Sequence, residues 1–168
     1  REKVAYMFLV PSMLNSLVRC SSAKNTELPF LKVIQIGGAP IADETALLGR
    51  EVFGDVLYQG YGQTEALPVC MMGPHEWFSS VEGSNPLRSA GRALPFAYLE
   101  IRDTNDPEIN LPLGEEGEIA IKCDGQMIEF WENKEATNER ISSDGFVLTG
   151  DIGKLDENGY LYVLDRKD

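Results

Sequence analysis

Val56-Leu57-Tyr58-Gln59-Gly60-Tyr61-Gly62-Gln63-Thr64-Glu65 is the stretch on which the fold turns. A short run of strand formers, Val56 to Tyr58, leads straight into glycine. The hexapeptide from Gly60 to Glu65 then gathers an aromatic face, a hydroxyl and a carboxylate on what reads as a loop. Its glycines let the backbone approach a ligand closely. The set suits a nucleotide, with a ring to stack on a base, a hydroxyl for a phosphate oxygen and a carboxylate for magnesium. The same six residues also read as a tight turn with a half-buried tyrosine and a solvated glutamate, and the hexapeptide alone does not decide between the two.

Working outward, the first half of the chain alternates element types. Val4 to Val10 reads as a strand or loop entry. Pro11 follows at a helix start, and Met13, Leu14, Leu17 and Val18 recur at helical spacing. Leu31 to Ile36 is a β-branched run ending in Gly37-Gly38, and Ile41 to Phe53 reads as a helix with Asp43 and Glu44 near its positive end. Strand, glycine turn and helix in succession predict an α/β layer with a ligand edge where the strands end. After a loop-like stretch from His75 to Asn85 the pattern becomes short strands between turn residues: Tyr98 to Arg102, Glu118 to Lys122, Phe146 to Thr149 and Tyr160 to Leu164. The expected fold class is therefore α/β: a partial α/β layer over residues 1–85, then a small, mostly antiparallel distorted β-barrel over residues 86–165.

Composition narrows the function classes. The 168 residues are 43% hydrophobic, enough to bury a core as one domain or two small subdomains. The formal net charge of −12, from 27 acidic against 15 basic residues, opposes binding to nucleic acid or an anionic membrane. Cys20, Cys70 and Cys123 are odd in number and widely spaced, so neither a disulfide framework nor a CxxC pair is written here, and a reducing cytoplasm is the expected location. The longest apolar run, Tyr6 to Val10, is too short to span a bilayer, and no export signal opens the chain. The chain starts at Arg1 rather than Met and enters a buried-looking segment at once, which reads as an internal piece of a longer protein.

The hexapeptide resembles the Y-G-x-T-E signature of the adenylate-forming (AMP-binding) superfamily, and further segments similar to that family occur in the same order. Before it come Val10-Pro11-Ser12-Met13-Leu14 and Gly37-Gly38-Ala39-Pro40-Ile41. After it come Gly91-Arg92-Ala93-Leu94-Pro95, Gly114-Glu115-Glu116-Gly117-Glu118-Ile119, Asn133-Lys134-Glu135-Ala136-Thr137, Thr149-Gly150-Asp151 and Asp165-Arg166-Lys167-Asp168. The resemblance covers nearly the whole chain. Its Gly-Gly-Ala-Pro form and Gln-Thr-Glu-Ala run look more like the acyl-CoA synthetase branch than the amino-acid-activating domains of peptide synthetases. That domain, and a non-catalytic nucleotide-binding relative, are the alternatives.

The resemblance implies roles residue by residue. Gly37, Gly38 and Ala39 would line the acyl and adenine pockets. Gln59, Gly60 and Tyr61 would border the nucleotide, with Tyr61 stacked on adenine. Thr64 would meet the α-phosphate and Glu65 would help hold Mg²⁺. Asp151 would accept both ribose hydroxyls, a role that suits an ionised carboxylate with two acceptor oxygens. Arg166 would reach the ribose or phosphate as a fixed cation. Asp168 would be the hinge to a C-terminal domain. The substrates implied are ATP, a carboxylic acid and coenzyme A, and the acid itself (aryl, short-chain or fatty) is not readable. Standing alone, Asp151 is a turn residue and Arg166 a solvated cation. His75 lacks a catalytic partner at any recognised spacing, and Trp77, Phe78, Phe130 and Trp131 are expected in packing. The sequence departs from the family at Glu129-Phe130-Trp131 and at Phe146, which stands where a Trp often precedes Thr-Gly-Asp. The family's phosphate-gripping lysine loop and C-terminal catalytic lysine find no counterpart in the chain, so the 168 residues alone are expected to be inactive.

Overall fold

The computed structural model describes residues 3–20 and 27–167. Its first sheet has the order β1-β2-β3-β4, from β1 (Tyr6–Leu9), β2 (Val33–Ile36), β3 (Leu57–Gln63) and β4 (Ala66–Met72). The first three strands run parallel and β4 turns back antiparallel. Leu9, Ile36 and Gln59 stand side by side in register, so the glycines that follow β2 and punctuate β3 emerge on one edge of the sheet. This is the crevice beyond the carboxyl ends of parallel strands where α/β sheets take ligands.

One face of this sheet is covered by helices. In α1 (Pro11–Arg19), Pro11 sits where its missing N–H is no loss, and Leu14 and Val18, one turn apart, are buried. In α2 (Asp43–Phe53), the acidic first turn and Arg50 in the last turn both favour the helix dipole. Leu14, Val18 and Ala46 pack with Ile34, Ile36 and Leu57 in one core. The opposite face carries Tyr6, Phe8 and Gln35, and the Tyr6 hydroxyl donates to Gln35 Oε1.

The second sheet is an antiparallel meander of β5 (Ala97–Arg102), β6 (Gly117–Cys123), β7 (Val147–Leu155) and β8 (Leu161–Arg166). It is open, with β5 and β8 as its edges. Strand β4 joins the two halves: Ala66, Val69 and Cys70 share a core with Ile119, Ile121 and Leu161. Isolated bridges from Ala66 to Gln126 and from Cys70 to Ala93 reinforce that seam.

Four local outcomes differ from the sequence-based expectation. The Gly60–Gln63 segment is not loop but the continuation of β3, and only Thr64 and Glu65 form the turn into β4. Strand β4 went unrecognised because Pro68 interrupts it and its apolar residues do not alternate. Proline is tolerated there because it lies opposite the irregularity between Tyr61 and Gln63, where the ladder skips. The loop-like stretch begins with a short helix, α3 (Pro74–Trp77). Trp77 is fully buried, donates from Nε1 to Leu87 O at 3.2 Å and packs against Phe78, as expected of it. Trp131, expected in packing, instead stands 87% exposed beside Ile128 at 90%, on the segment before helix α4 (Lys134–Arg140).

Candidate functional site

At the carboxyl edge of the parallel strands the two glycine segments come together. A Cβ on Gly37 would lie 3.1 Å from the Gly60 carbonyl oxygen, and one on Gly60 would lie 3.1 Å from Gln35 Nε2, so the close approach of β2 and β3 here is built on missing side chains. Above them opens a cavity of about 830 Å³, bordered by Gly37, Gly38, Gly60, Tyr61, Thr64 and Glu65. That volume lies within the range of small-molecule sites. Arg140 and Arg166 also line it, two cations in a chain of formal charge −12.

Asp151 anchors the side of the site reached from β7. It is 5% exposed, and a buried carboxylate is tolerable only when it is paired and hydrogen-bonded. Here three donors meet it. Tyr61 Oη donates to Oδ2 at 2.7 Å, Gln63 Nε2 donates to the same oxygen at 2.8 Å, and Arg166 Nη1 pairs with Oδ1 at 2.9 Å. Gln63 Nε2 also donates to Thr149 O at 2.9 Å, and the Asp151 N–H donates to Thr149 Oγ1 at 3.0 Å. Burial, and then the hydrogen bond to Asp151, raise the Tyr61 phenol above its ordinary range, so it stays a neutral donor. The Arg166 side chain is 66% exposed, whereas Tyr61 and Gln63 are held by β3.

Thr64 and Glu65 occupy the β3–β4 turn, where the Glu65 carbonyl accepts from the Met127 N–H at 2.7 Å. Among the described residues no protein group engages either side chain, and the half-buried Glu65 carboxylate borders the cavity. No cluster of three metal-ligating side chains occurs among the described residues. A single carboxylate bordering a cavity that two arginines also line nevertheless fits Mg²⁺, which keeps several waters and takes one or two carboxylates together with substrate phosphates.

The structure gathers most, but not all, of the residues singled out in the sequence. Gly37, Gly38, Gly60, Tyr61, Thr64, Glu65 and Arg166 line the cavity, and Asp151 is tied to it through Tyr61 and Arg166. Ala39 is exposed and does not line it. Gln59 lies buried in β3 outside the lining, with Oε1 unpartnered. Asp168 lies outside the described residues. Arg140, which the sequence reading passed over, lines the cavity and donates to Leu148 O at 3.2 Å. Its only sequence signal is its place at the end of the helix opened by Asn133, whose side chain accepts from the Ala136 N–H. Cys70 also lines the cavity, but burial pushes its thiol up to about 12, which makes it inert rather than nucleophilic.

The sequence model of the family described as "AMP-binding enzyme" matches residues 1–131. The chain belongs to the AMP-binding enzyme family. This AMP-binding chain is 37% identical over 99% of its length to a probable 4-coumarate–CoA ligase of Dictyostelium discoideum, spanning 29% of that relative. The amide bond synthetase McbA of Marinactinospora thermotolerans superposes with a TM-score of 0.86 at 32% identity, over 98% of this chain and 32% of that one. ATP-bound MatB of Rhodopseudomonas palustris superposes with a TM-score of 0.83 at 25% identity, over 98% and 31%. The AMP-binding chain thus spans about a third of the proteins it matches.

Proposed function

We propose that this chain is the nucleotide-binding segment of a cytoplasmic acid–thiol ligase. In the first half-reaction a carboxylate oxygen attacks the α-phosphorus of ATP, the bond to the β-phosphate oxygen breaks, and acyl-adenylate and pyrophosphate form. In the second, the thiol of coenzyme A attacks the acyl carbon and AMP leaves. The observation that carries this reading is the buried Asp151 carboxylate, held by Tyr61 and Gln63, which themselves line a cavity together with Thr64, Glu65 and the paired glycines.

Each residue has a task that follows from its setting. Asp151 accepts the ribose hydroxyls after Arg166 yields Oδ1, and Arg166 then turns to the phosphates as a fixed cation. Tyr61 offers its ring to adenine while its hydroxyl keeps Asp151 in place. Thr64 donates to an α-phosphate oxygen. Glu65 would hold Mg²⁺, which when bound neutralises phosphate charge. The rate enhancement rests on donors and cations set in advance where negative charge gathers. Asp168, directly after Arg166-Lys167, is the joint on which a second domain turns between the half-reactions.

The full-length protein tests the reading. Pyrophosphate release with a panel of aryl, short-chain and fatty acids, run with and without coenzyme A, should show acid-dependent turnover and a CoA-dependent thioester. Amide formation in place of thioester would assign the acceptor differently, and absence of ATP–pyrophosphate exchange with every acid would refute adenylation. The isolated 168 residues should form no acyl-adenylate, consistent with their spanning only 29% of a related ligase.

A further inference from the structure

Between the register pairs Glu118↔Ile152 and Ala120↔Leu148 only Ile119 intervenes on β6, whereas Thr149, Gly150 and Asp151 intervene on β7. Those extra residues form a bulge, and bulges commonly re-aim side chains beside active sites. Here the bulge presents Asp151. It also removes backbone groups from the ladder, and side chains replace the lost partners. Thr149 Oγ1 donates to Ile119 O at 2.8 Å, and the Gly150 N–H donates to Glu118 Oε1 at 2.9 Å. Gly150, at φ 71°, adopts the left-handed conformation that the bulge requires.

The other Glu118 oxygen is also engaged. Lys167 Nζ pairs with Oε2 at 2.6 Å, and the Lys167 N–H donates to Gly150 O at 2.8 Å. The Glu118 side chain is 4% exposed. A carboxylate so buried is strongly destabilising if left unpaired, so both partners matter. Consecutive cations at the exit of β8 thus grip carboxylates on either side of Gly150: Arg166 holds Asp151 and Lys167 holds Glu118.

We propose that Glu118 is a positioning residue of the nucleotide site, holding the Asp151 bulge on one oxygen and the chain leaving β8 on the other. The inference rests on the adenylating reading above. When ribose hydroxyls take the oxygens of Asp151, Arg166 is released, and the Glu118–Lys167 pair remains as the side-chain tie on that exit. Nucleotide binding and the orientation of whatever follows Lys167 are thereby joined through one buried carboxylate.

The test compares wild type, Glu118→Ala, Glu118→Gln and Lys167→Met in the full-length protein, measuring ATP–pyrophosphate exchange and CoA transfer from preformed acyl-adenylate separately. Glu118→Ala should raise the KM for ATP about tenfold, the scale of one lost charge-assisted bond, while the KM for the acid stays within about twofold. Glu118→Gln keeps an acceptor for the Gly150 N–H, so it should restore most of the ATP KM yet share the altered CoA-transfer rate of Lys167→Met. Equal rises in both KM values, or an ATP KM in Glu118→Ala like wild type, would overturn the proposal. If wild type shows no exchange, the adenylating reading has failed on its own account. The tie is then judged in the 168-residue chain by hydrogen exchange at the Gly150 and Lys167 amides: loss of protection in Glu118→Ala supports it, and unchanged protection refutes it.

Discussion

Tyr61 and Asp151, 90 positions apart, share a 2.7 Å hydrogen bond that joins the parallel sheet to the antiparallel one at the rim of the cavity. The bond holds a buried carboxylate and an aromatic ring in fixed relation, so under the proposed function nucleotide affinity and the alignment of the two sheets would depend on the same contact.

Removing that carboxylate gives the first prediction. In the full-length protein, Asp151→Ala should weaken ATP binding by roughly 2 to 4 kcal/mol, the scale of a lost pair of charge-assisted hydrogen bonds. Tyr61→Phe keeps the ring and should cost about 1 kcal/mol. Calorimetric titration with ATP checks both, and wild-type affinity in Asp151→Ala would assign Thr-Gly-Asp to turn formation only.

The Glu65 side chain has no protein partner among the described residues, so its replacement should leave folding alone and act on the metal. Glu65→Gln should shift the magnesium dependence of pyrophosphate exchange to higher concentration, with the thermal midpoint unchanged. An unaltered magnesium curve would remove Glu65 from the metal's surroundings.

Acid stability should run through Asp144. The Ser142 hydroxyl and then the Arg102 guanidinium lower its carboxyl from 3.8 to about 2. A depressed folded value means that its contribution is fully present above the ordinary carboxyl range and is lost as pH falls toward about 2. Wild type should therefore exceed Asp144→Asn in thermal midpoint near neutral pH, and the gap should close between about pH 4 and pH 2. A gap that stays constant over that window would show that charge plays no part.

The two tryptophans should respond oppositely to truncation. Trp77→Ala empties a fully buried site and should cost about 3 to 5 kcal/mol, whereas Trp131→Ala removes an 87% exposed ring and should stay within about 0.5 kcal/mol. Denaturant unfolding of the 168-residue chain measures both.

By itself the sequence determined the types and order of β1, α1, β2, α2, the start of β3 and the four strands of the second sheet. Their signals are local: Pro11 opening a helix, the β-branched Val33–Ile36 run ending in glycine, and turn residues between the later strands. It also carried the candidate site residues, because Tyr61, Thr64, Glu65, Asp151 and Arg166 sit in recognisable segments. Only the tertiary structure decided that Gly60–Gln63 is strand and that β4 exists, since pairing partners in space, not local propensity, made them so. Tertiary structure also brought Arg140 to the cavity, buried Gln59 outside it and left Trp131 in solvent. Tyr61 lies 90 residues from Asp151 and Lys167 lies 49 residues from Glu118, and no local pattern encodes contacts over such separations, because they exist only once both sheets have closed on β4.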